Sequence, residues 1–329
     1  MSKVRWVMVG TGFMADLIVP DLLATENTEL VGFVSRSPDV IAGKMKSWGI
    51  DLPVYPTVET AIANPDVDLI YIGTPHSEHF PAAKKVLEAG KHCLVEKAMT
   101  MNQAEAIELA KIAREKKVFL MEAMWSKFNP LLNDIKRRID AGEIGKVKLI
   151  QTNFGFNVPY DNSRRLFNKE LGGGSVLDQG VYTISVASWF ADSEVETIDA
   201  RGEHFENGAE SSAIVTLTFK NGVIAHACSA INISIGTEAR IVGETGYFNI
   251  HGPFWSGDTV TKVTLRRNDQ DSETFTVKNE GAGYIPMIRA VSKAVSEGKT
   301  ETTERPLDES IYIMGLLDQI RSQIDSRHE

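Results

Sequence analysis

"VRWVMVGTGFMA", residues 4–15, is an apolar run that stops on two glycines and an alanine spaced G-x-G-x-x-A. The first six residues suit a strand buried on both faces. Gly10 then allows a sharp turn, Gly12 lets bare backbone approach a pyrophosphate, and Ala15 keeps the next helix close to the strand. A helix that begins there aims its unpaired N–H groups and the positive end of its dipole at an anion. Glycine triplets also occur in ordinary βα turns, so the reading depends on what surrounds this one.

The surroundings repeat the same grammar. "LVGFV" (30–34), "LIYI" (69–72), "HCLVE" (92–96) and "VFLM" (118–121) are short β-rich runs separated by helix-like segments. Near-continuous apolar strands are expected of a parallel sheet covered by helices on both faces. Asn102 followed by Glu105 resembles a capping box, Ala106, Ile107, Ala110 and Ala113 form a helical stripe, and Gly90 is a stop for the preceding helix. Residues 1–122 are therefore expected to form a doubly wound, Rossmann-type dinucleotide-binding domain, with Thr11, Phe13 and Met14 joining the two glycines in the cofactor loop.

From about residue 144 the pattern changes to longer strand-like stretches: 144–157, 196–204, 211–219, 223–233, 238–250 and 259–266, with one helix among them. This predicts an α+β domain over 123–329, a mostly antiparallel sheet covered by helices on one side. A last periodic stretch, 307–324, reads as a C-terminal helix that could dock on either domain.

A length of 329 residues favours two domains. The 43% hydrophobic and 24% charged composition is that of a globular protein. A net charge of −9 disfavours a nucleic-acid partner, and Lys136-Arg137-Arg138 reads as a solvated helix face. Two cysteines, Cys93 and Cys228, both in apolar runs, argue against a disulfide framework or a thiolate metal site. With no apolar leader and no long apolar segment, neither secretion nor membrane insertion is expected, and a cytoplasmic location fits.

In an open α/β sheet the ligand crevice lies beyond the carboxyl ends of the strands. Glu96 and Lys97 sit at one such end, where Glu96 is expected on the ribose or nicotinamide side and Lys97 at the reacting oxygen. Solvated loop charges are the plainer alternative. "GTPHSEH" (73–79) ends the preceding strand, so Thr74, Pro75 and His76 should line the same crevice. His76 and His79 lack a third ligand at metal spacing, so no metal is expected and both read as cofactor-contacting or helix-capping groups. After the second strand stands Ser35-Arg36-Ser37 in place of a carboxylate. A guanidinium and two hydroxyls suit a 2′-phosphate, which puts NADP(H) ahead of NAD(H).

The second half offers "LGGGSVLDQGVYTIS" (171–185), where three glycines let the backbone approach something closely and a helix begins near Ser175. Asp178 and Tyr182, four apart, would share one helical face beside a buried stripe of Leu177, Val181, Ile184 and Ser188. An acid and a phenol on one face form a candidate site. An aspartate favoured by the helix dipole and a core tyrosine would explain the same residues.

"VGTGFMA", "GTPHSEH", the pair at 96–97 and "GGGSVLDQGVY", in this order, resemble the family of glucose-fructose oxidoreductase and inositol dehydrogenase. With "EAMWSKFNP" (122–130) the likeness is to the branch of dimeric dihydrodiol dehydrogenase and the NADP-dependent D-xylose dehydrogenases. The resemblance implies a large open-faced sheet in the second domain and a homodimer formed through it. The family lysine falls on Lys97, its aspartate on Asp178, and its usual histidine is Tyr182 here, as in that branch. Ala98 stands where the family has the proline that shapes the lysine's turn.

The expected reaction is hydride transfer between nicotinamide and the carbinol or carbonyl carbon of a small sugar, polyol or cyclic diol. Tyr182 would be the acid/base, its phenol, ordinarily near 10, drawn towards working pH by Lys97. The reversed roles remain open. Asp178 would orient hydroxyls, and Trp125, Phe154 and Trp255 resemble that branch's apolar pocket lining, with Arg165 reaching the pocket from the loop before the glycines. Each aromatic fits plain core as well. A non-catalytic, nucleotide-binding regulatory protein and a reductase of an anhydro-sugar or biliverdin type are the competing functions.

Overall fold

Six parallel strands, β1 (Val4–Val9), β2 (Thr28–Val34), β3 (Val54–Tyr55), β4 (Leu69–Ile72), β5 (His92–Val95) and β6 (Leu120–Glu122), form the first sheet in the order β3-β2-β1-β4-β5-β6. The computed structural model describes residues 3–252, 260–268 and 270–327. Five helices link the strands: α1 (Phe13–Ala24), α2 (Pro38–Trp48), α3 (Val58–Ile62), α4 (His79–Glu88) and α5 (Gln103–Lys116). Strand order reverses between β1 and β4, so the loops that leave these two strands flank the switch point where such sheets bind ligands. The strands are buried on both faces, as their unbroken apolar runs require.

Local signals set the helix ends. Pro38 opens α2, and Gly49 closes it in the left-handed conformation at φ 70°. Asn102 caps α5 by accepting the Glu105 N–H at 3.0 Å, while the Glu105 carboxylate accepts from Met101 rather than from Asn102. Within α5, Ala106, Ala110 and Ala113 are buried as the stripe requires, but Ile107 faces solvent and Leu109 takes its place inside.

The second sheet has eight strands: β7 (Val147–Gly155), β8 (Val195–His204), β9 (Glu210–Phe219), β10 (Ile224–Ala230), β11 (Gly236–Gly243), β12 (Gly246–His251), β13 (Val260–Arg267) and β14 (Glu273–Lys278). Their order is β14-β13-β12-β11-β7-β10-β9-β8, and every pairing is antiparallel except β10 with β7. The stretch at 238–250 is two strands joined at Glu244-Thr245 rather than one. The edge strand β14 and the two-residue β3 carry too short or too polar a pattern to be read beforehand. Helices α6 (Pro130–Asp140) and α7 (Val181–Ala191) belong to this half, and α7 packs on β7 and β10.

The chain divides into one unit of Met1–Phe128 with Glu280–Tyr312 and another of Asn129–Asn279 with Ile313–Glu329. This differs from a single boundary at residue 122, because the chain returns to the first unit through α8 (Ile285–Ser296) and the start of α9 (Leu307–Asp325). The return is fixed by polar contacts. The Trp6 indole donates to Ser292 at 3.1 Å, and the Asp21 carboxylate accepts the Ala282 and Tyr284 N–H groups, each at 2.8 Å. Separate partners for each oxygen of a buried carboxylate offset its desolvation.

Candidate active site

In the first unit the β1 loop is packed against the β4 loop. Gly10 has φ 96°, and a Cβ there would stand 2.5 Å from the Gly73 carbonyl oxygen, so only glycine fits. A Cβ on Gly12, in contrast, would meet nothing within 4 Å. Gly12 also precedes α1 with no side chain capping the helix; the Ala15 N–H donates to the Gly12 carbonyl at 3.1 Å, and the Phe13 and Met14 N–H groups are left to a ligand. Ala15 is fully buried and holds α1 to the sheet, whereas Met14 is half-buried and Phe13 is 74% exposed. At the neighbouring loop the Thr74 hydroxyl is buried without a hydrogen-bond partner among the described residues. Open backbone, an uncapped helix start and an orphaned hydroxyl fit a dinucleotide. Lys44, unremarkable in the sequence, braces the loop by donating to the Gly12 carbonyl at 3.2 Å and to Asp16 at 2.7 Å.

After β2, Ser35 is turned inward. Its hydroxyl accepts the Ser37 N–H at 3.1 Å and lies 3.5 Å from the Thr11 hydroxyl, so it shapes the turn. Arg36 and Ser37 are exposed. The guanidinium is thus available to an anion at the end of β2, while Ser35 acts first on the loop itself.

The turn after β5 has nearly every backbone polar group bound by a side chain. The Lys97 N–H donates to Glu96 at 3.2 Å, and the Met99 N–H donates to Glu122 at 3.0 Å. The Lys97 carbonyl faces His76 Nε2 at 3.2 Å, and the Ala98 carbonyl faces His79 Nδ1 at 2.9 Å. Glu122 is itself paired with the fully buried Arg305. The Lys97–Ala98 peptide is cis, at the position where the resembling family carries proline. His76 and His79 therefore spend ring nitrogens on this turn, with His79 also reaching the Thr74 carbonyl at 2.9 Å. Pro75 sits half-buried between them and the strand.

Glu96 is 5% exposed and accepts the Tyr71 hydroxyl at 2.6 Å. Burial pushes its carboxyl up to about 7, against the Tyr71 hydrogen bond and the charge and amide of Lys97, and with the Glu122 charge adding to the rise. Gly73 has a packing role here too, since a Cβ on it would lie 2.8 Å from the Tyr71 ring. Trp125 is 1% exposed and its ring lies 5.5 Å from that of Tyr284, which is core packing within the first unit.

In the second unit the segment foreseen as one α-helix from Ser175 begins with a π-helical turn, Val176–Gly180, and continues as α7. The wider turn changes the register between Asp178 and Tyr182 from the simple four-residue face. Arg165 pairs with Asp178 at 3.2 Å, and the Gln179 amide donates to the other Asp178 oxygen at 2.8 Å. Tyr182 is 6% exposed, with the Phe154 ring 5.5 Å away. Arg165, Asp178, Phe154 and Tyr182 thus fall into two adjoining contacts within one unit; Trp255 lies outside the described residues.

The glycine run receives a different explanation from the one its composition suggests. A Cβ on Gly173 would stand 2.4 Å from the Arg165 carbonyl, and one on Gly174, at φ 121°, would stand 2.1 Å from the Glu210 carboxylate. What approaches the backbone closely is the chain itself. Glu210 is held in turn by Arg321 at 3.1 Å.

A parallel sheet with an open glycine loop at its switch point, followed by a large mostly antiparallel sheet, defines an NAD(P)-dependent oxidoreductase. Residues 4–124 match the family described as "Oxidoreductase family, NAD-binding Rossmann fold", and residues 132–249 match the "GFO/IDH/MocA C-terminal domain". A trans-1,2-dihydrobenzene-1,2-diol dehydrogenase from Xenopus tropicalis is 31% identical over 97% of this chain and 98% of its own. A D-xylose 1-dehydrogenase (NADP(+)) from Hypocrea jecorina is 28% identical over 97% of this chain and 91% of its own. Among solved structures, a 3-ketoreductase from Actinomadura kijaniata in complex with NADP and TDP-benzene is 25% identical, with a TM-score of 0.86 and 98% of each chain covered. The fold is shared with an aldose-aldose oxidoreductase from Caulobacter crescentus, at 22% identity and a TM-score of 0.90. The chain belongs to the GFO/IDH/MocA oxidoreductase family.

Proposed function

We propose that the protein is an NADP(H)-dependent dehydrogenase that oxidises the carbinol of a sugar, polyol or cyclic diol, or reduces the corresponding carbonyl. The observation that carries this reading is the turn at 96–99. Four side chains fix the backbone segment that carries the half-buried Lys97, at the end of β5, the strand next to β4 at the switch point. Supporting it are the names of the relatives, which act on D-xylose and on a dihydrodiol.

Bound nicotinamide supplies the hydride acceptor or donor. Gly10, Thr11 and Gly12 with the start of α1 would hold the pyrophosphate, Phe13 and Met14 would flank it, and Thr74, Pro75 and Glu96 would line the ribose and nicotinamide side. Arg36, with Ser37, would hold a 2′-phosphate, and it is the basis of the preference for NADP(H) over NAD(H). In the oxidative direction the carbinol C–H bond breaks with its electron pair leaving as hydride, while the hydroxyl proton passes to Tyr182. Lys97 stabilises the charge that develops on the substrate oxygen. Asp178, kept in place by Arg165 and Gln179, orients neighbouring substrate hydroxyls, and Phe154 walls the ring of Tyr182.

The outward face of the second sheet carries Ile214, 60% exposed, in one row with Cys228, Asn153 and Glu238 on successive strands. This is the face through which a homodimer would form, as sedimentation with and without an Ile214→Lys substitution would test. Among the described residues no helix is long and apolar enough to cross a membrane, and a cytoplasmic site of action is part of the proposal.

The deciding experiment follows nicotinamide absorbance with a panel of aldoses, cyclic diols and anhydro-sugars, with NADP+ and with NADPH. Turnover of an aldose or diol that is faster with NADP+ than with NAD+ is expected. Tight NADP+ binding without turnover of any of them would leave a nucleotide-binding regulator instead.

A further inference from the structure

His79 opens α4 and is fully buried. Its Nδ1 lies 2.9 Å from the Ala98 carbonyl oxygen, and its Nε2 lies 2.9 Å from the Thr74 carbonyl oxygen. A carbonyl oxygen only accepts, so each contact needs a proton on the nitrogen that faces it. A neutral imidazole has one such proton, and its other nitrogen would set a lone pair against a carbonyl lone pair at hydrogen-bond distance.

His92, in the same unit, provides the contrast. Its Nδ1 accepts the Phe119 N–H at 2.9 Å, which requires an unprotonated nitrogen there. Its pKa is lowered by burial, which outweighs the opposing pull of Asp68 and is joined by Lys91. One buried histidine is built to accept, the other to donate twice.

We propose that His79 is held as an imidazolium whose two N–H groups clamp the loop after β4 to the turn after β5, and that it is thereby a positioning residue for Lys97. The second half of this statement rests on the reading of Lys97 as the group that meets the substrate oxygen. The clamp joins the two chain segments that leave the neighbouring strands β4 and β5, at the point where the lysine departs. His76 assists by donating to the Lys97 carbonyl, its ring perpendicular to that of His79 with centroids 5.4 Å apart.

The ionisable groups on the elements around the ring include His76 and Glu78 on the turn before α4, Lys84, Lys85 and Glu88 farther along α4, Glu96 and Lys97 after β5, Glu105 and Glu108 on α5 and Glu122 at the end of β6; Lys84 pairs with Glu108 and Lys85 with Glu59. Glu105 accepts from Met101, Glu96 from Tyr71 and Lys97, and Glu122 from Met99 and Arg305. Burying a cation is costly, and two charge-assisted hydrogen bonds to fixed carbonyls are what offset that cost.

The test uses the full-length protein with nitrogen-15 in its histidine rings, at about pH 7.5, a unit above the ordinary histidine midpoint. Replacing His204, His226, His251 and His328 by Gln leaves His76, His79 and His92 without changing the first unit, and the signals lost in His79→Gln are those of His79. Two protonated nitrogens on His79, beside an accepting Nδ1 on His92, are expected. One unprotonated nitrogen on His79 at that pH overturns the imidazolium, whether or not any substrate is turned over.

The positioning role is read from kinetics. His79→Gln should lower kcat roughly tenfold to a hundredfold with KM changed less than about threefold, and Lys97→Met added to it should cost no more than Lys97→Met alone. Multiplying losses would overturn it. Should His79→Gln not fold, His76→Gln is expected to give the same non-additivity with Lys97→Met, and additivity there would count equally against the proposal.

Discussion

Gly12 and Gly173 belong to segments that look alike in sequence, yet their surroundings are opposite. Around Gly12 the space that a Cβ would fill is open to 4 Å, whereas at Gly173 that space is taken by the Arg165, Leu166 and Asn168 backbone at 2.4–2.7 Å. The first glycine reserves room for something the chain does not contain. The second lets the chain close on itself and presents Asp178 and Tyr182 from the helix that follows. A glycine-rich stretch therefore marks a close approach without saying whose.

Alanine at each position separates the two roles, and the larger effect belongs to Gly173. Gly173→Ala forces three backbone atoms apart and should destabilise the second unit by about 3 kcal/mol or more, read as a fall in denaturant midpoint. A midpoint equal to wild type would mean that this loop, too, is held open for a ligand.

The turn at Glu96 extends the comparison, because the first unit also uses internal polar contacts to hold its site. The Glu96 carboxyl is raised from 4.5 to about 7 by burial, so the folded protein holds a proton that the unfolded chain has released between those values. Its contribution to stability is therefore full below about pH 4.5 and is lost as pH rises through about 7, by roughly 3 kcal/mol in all. The difference in unfolding free energy between wild type and Glu96→Gln, followed from pH 4.5 to 8, should reveal that slope; parallel curves would place the carboxyl at its ordinary value.

Smaller effects are expected where the chain is open. Arg36→Ala should remove a charge-assisted contact worth about 2 kcal/mol, weakening NADP+ binding some thirtyfold while leaving NAD+ binding near its original value. Equal losses for both nucleotides would remove the 2′-phosphate assignment. Gly12→Ala should leave the unfolding midpoint within about 0.5 kcal/mol of wild type and weaken either nucleotide about tenfold. That pair of results is the reverse of what Gly173→Ala should give.

The legibility of the molecule follows the same division. Five of the six strands of the first sheet could be read because buried parallel strands leave unbroken apolar runs, and β1 matches Val4–Val9 to the residue, whereas β3 is too short to leave one. The glycine loop could be read because its spacing falls between a buried first strand and a helix, in a half that repeats the βα pattern. The return of residues 280–312 to the first unit could not, since it depends on Asp21 capping two distant N–H groups and on Trp6 meeting Ser292. Nor could the clamp around Lys97, where Tyr71, Glu122 and Arg305 act through side chains that read as plain strand or loop residues. The π-helical turn at Val176–Gly180 leaves no mark that single-residue spacing can detect. Sequence patterns report burial and periodicity; they do not report which carbonyl a histidine will face.

The central claim is that Lys97 and Tyr182 serve one hydride transfer. It is tested most directly by steady-state oxidation of the best aldose or diol with NADP+ in Lys97→Met, Tyr182→Phe and the double variant. Each single change should lower kcat by about 10²- to 10⁴-fold with NADP+ affinity preserved, and the double variant should be little worse than the poorer single one, as for groups that act as a unit. Near-normal turnover in either single variant, or losses that multiply in the double, would contradict the account.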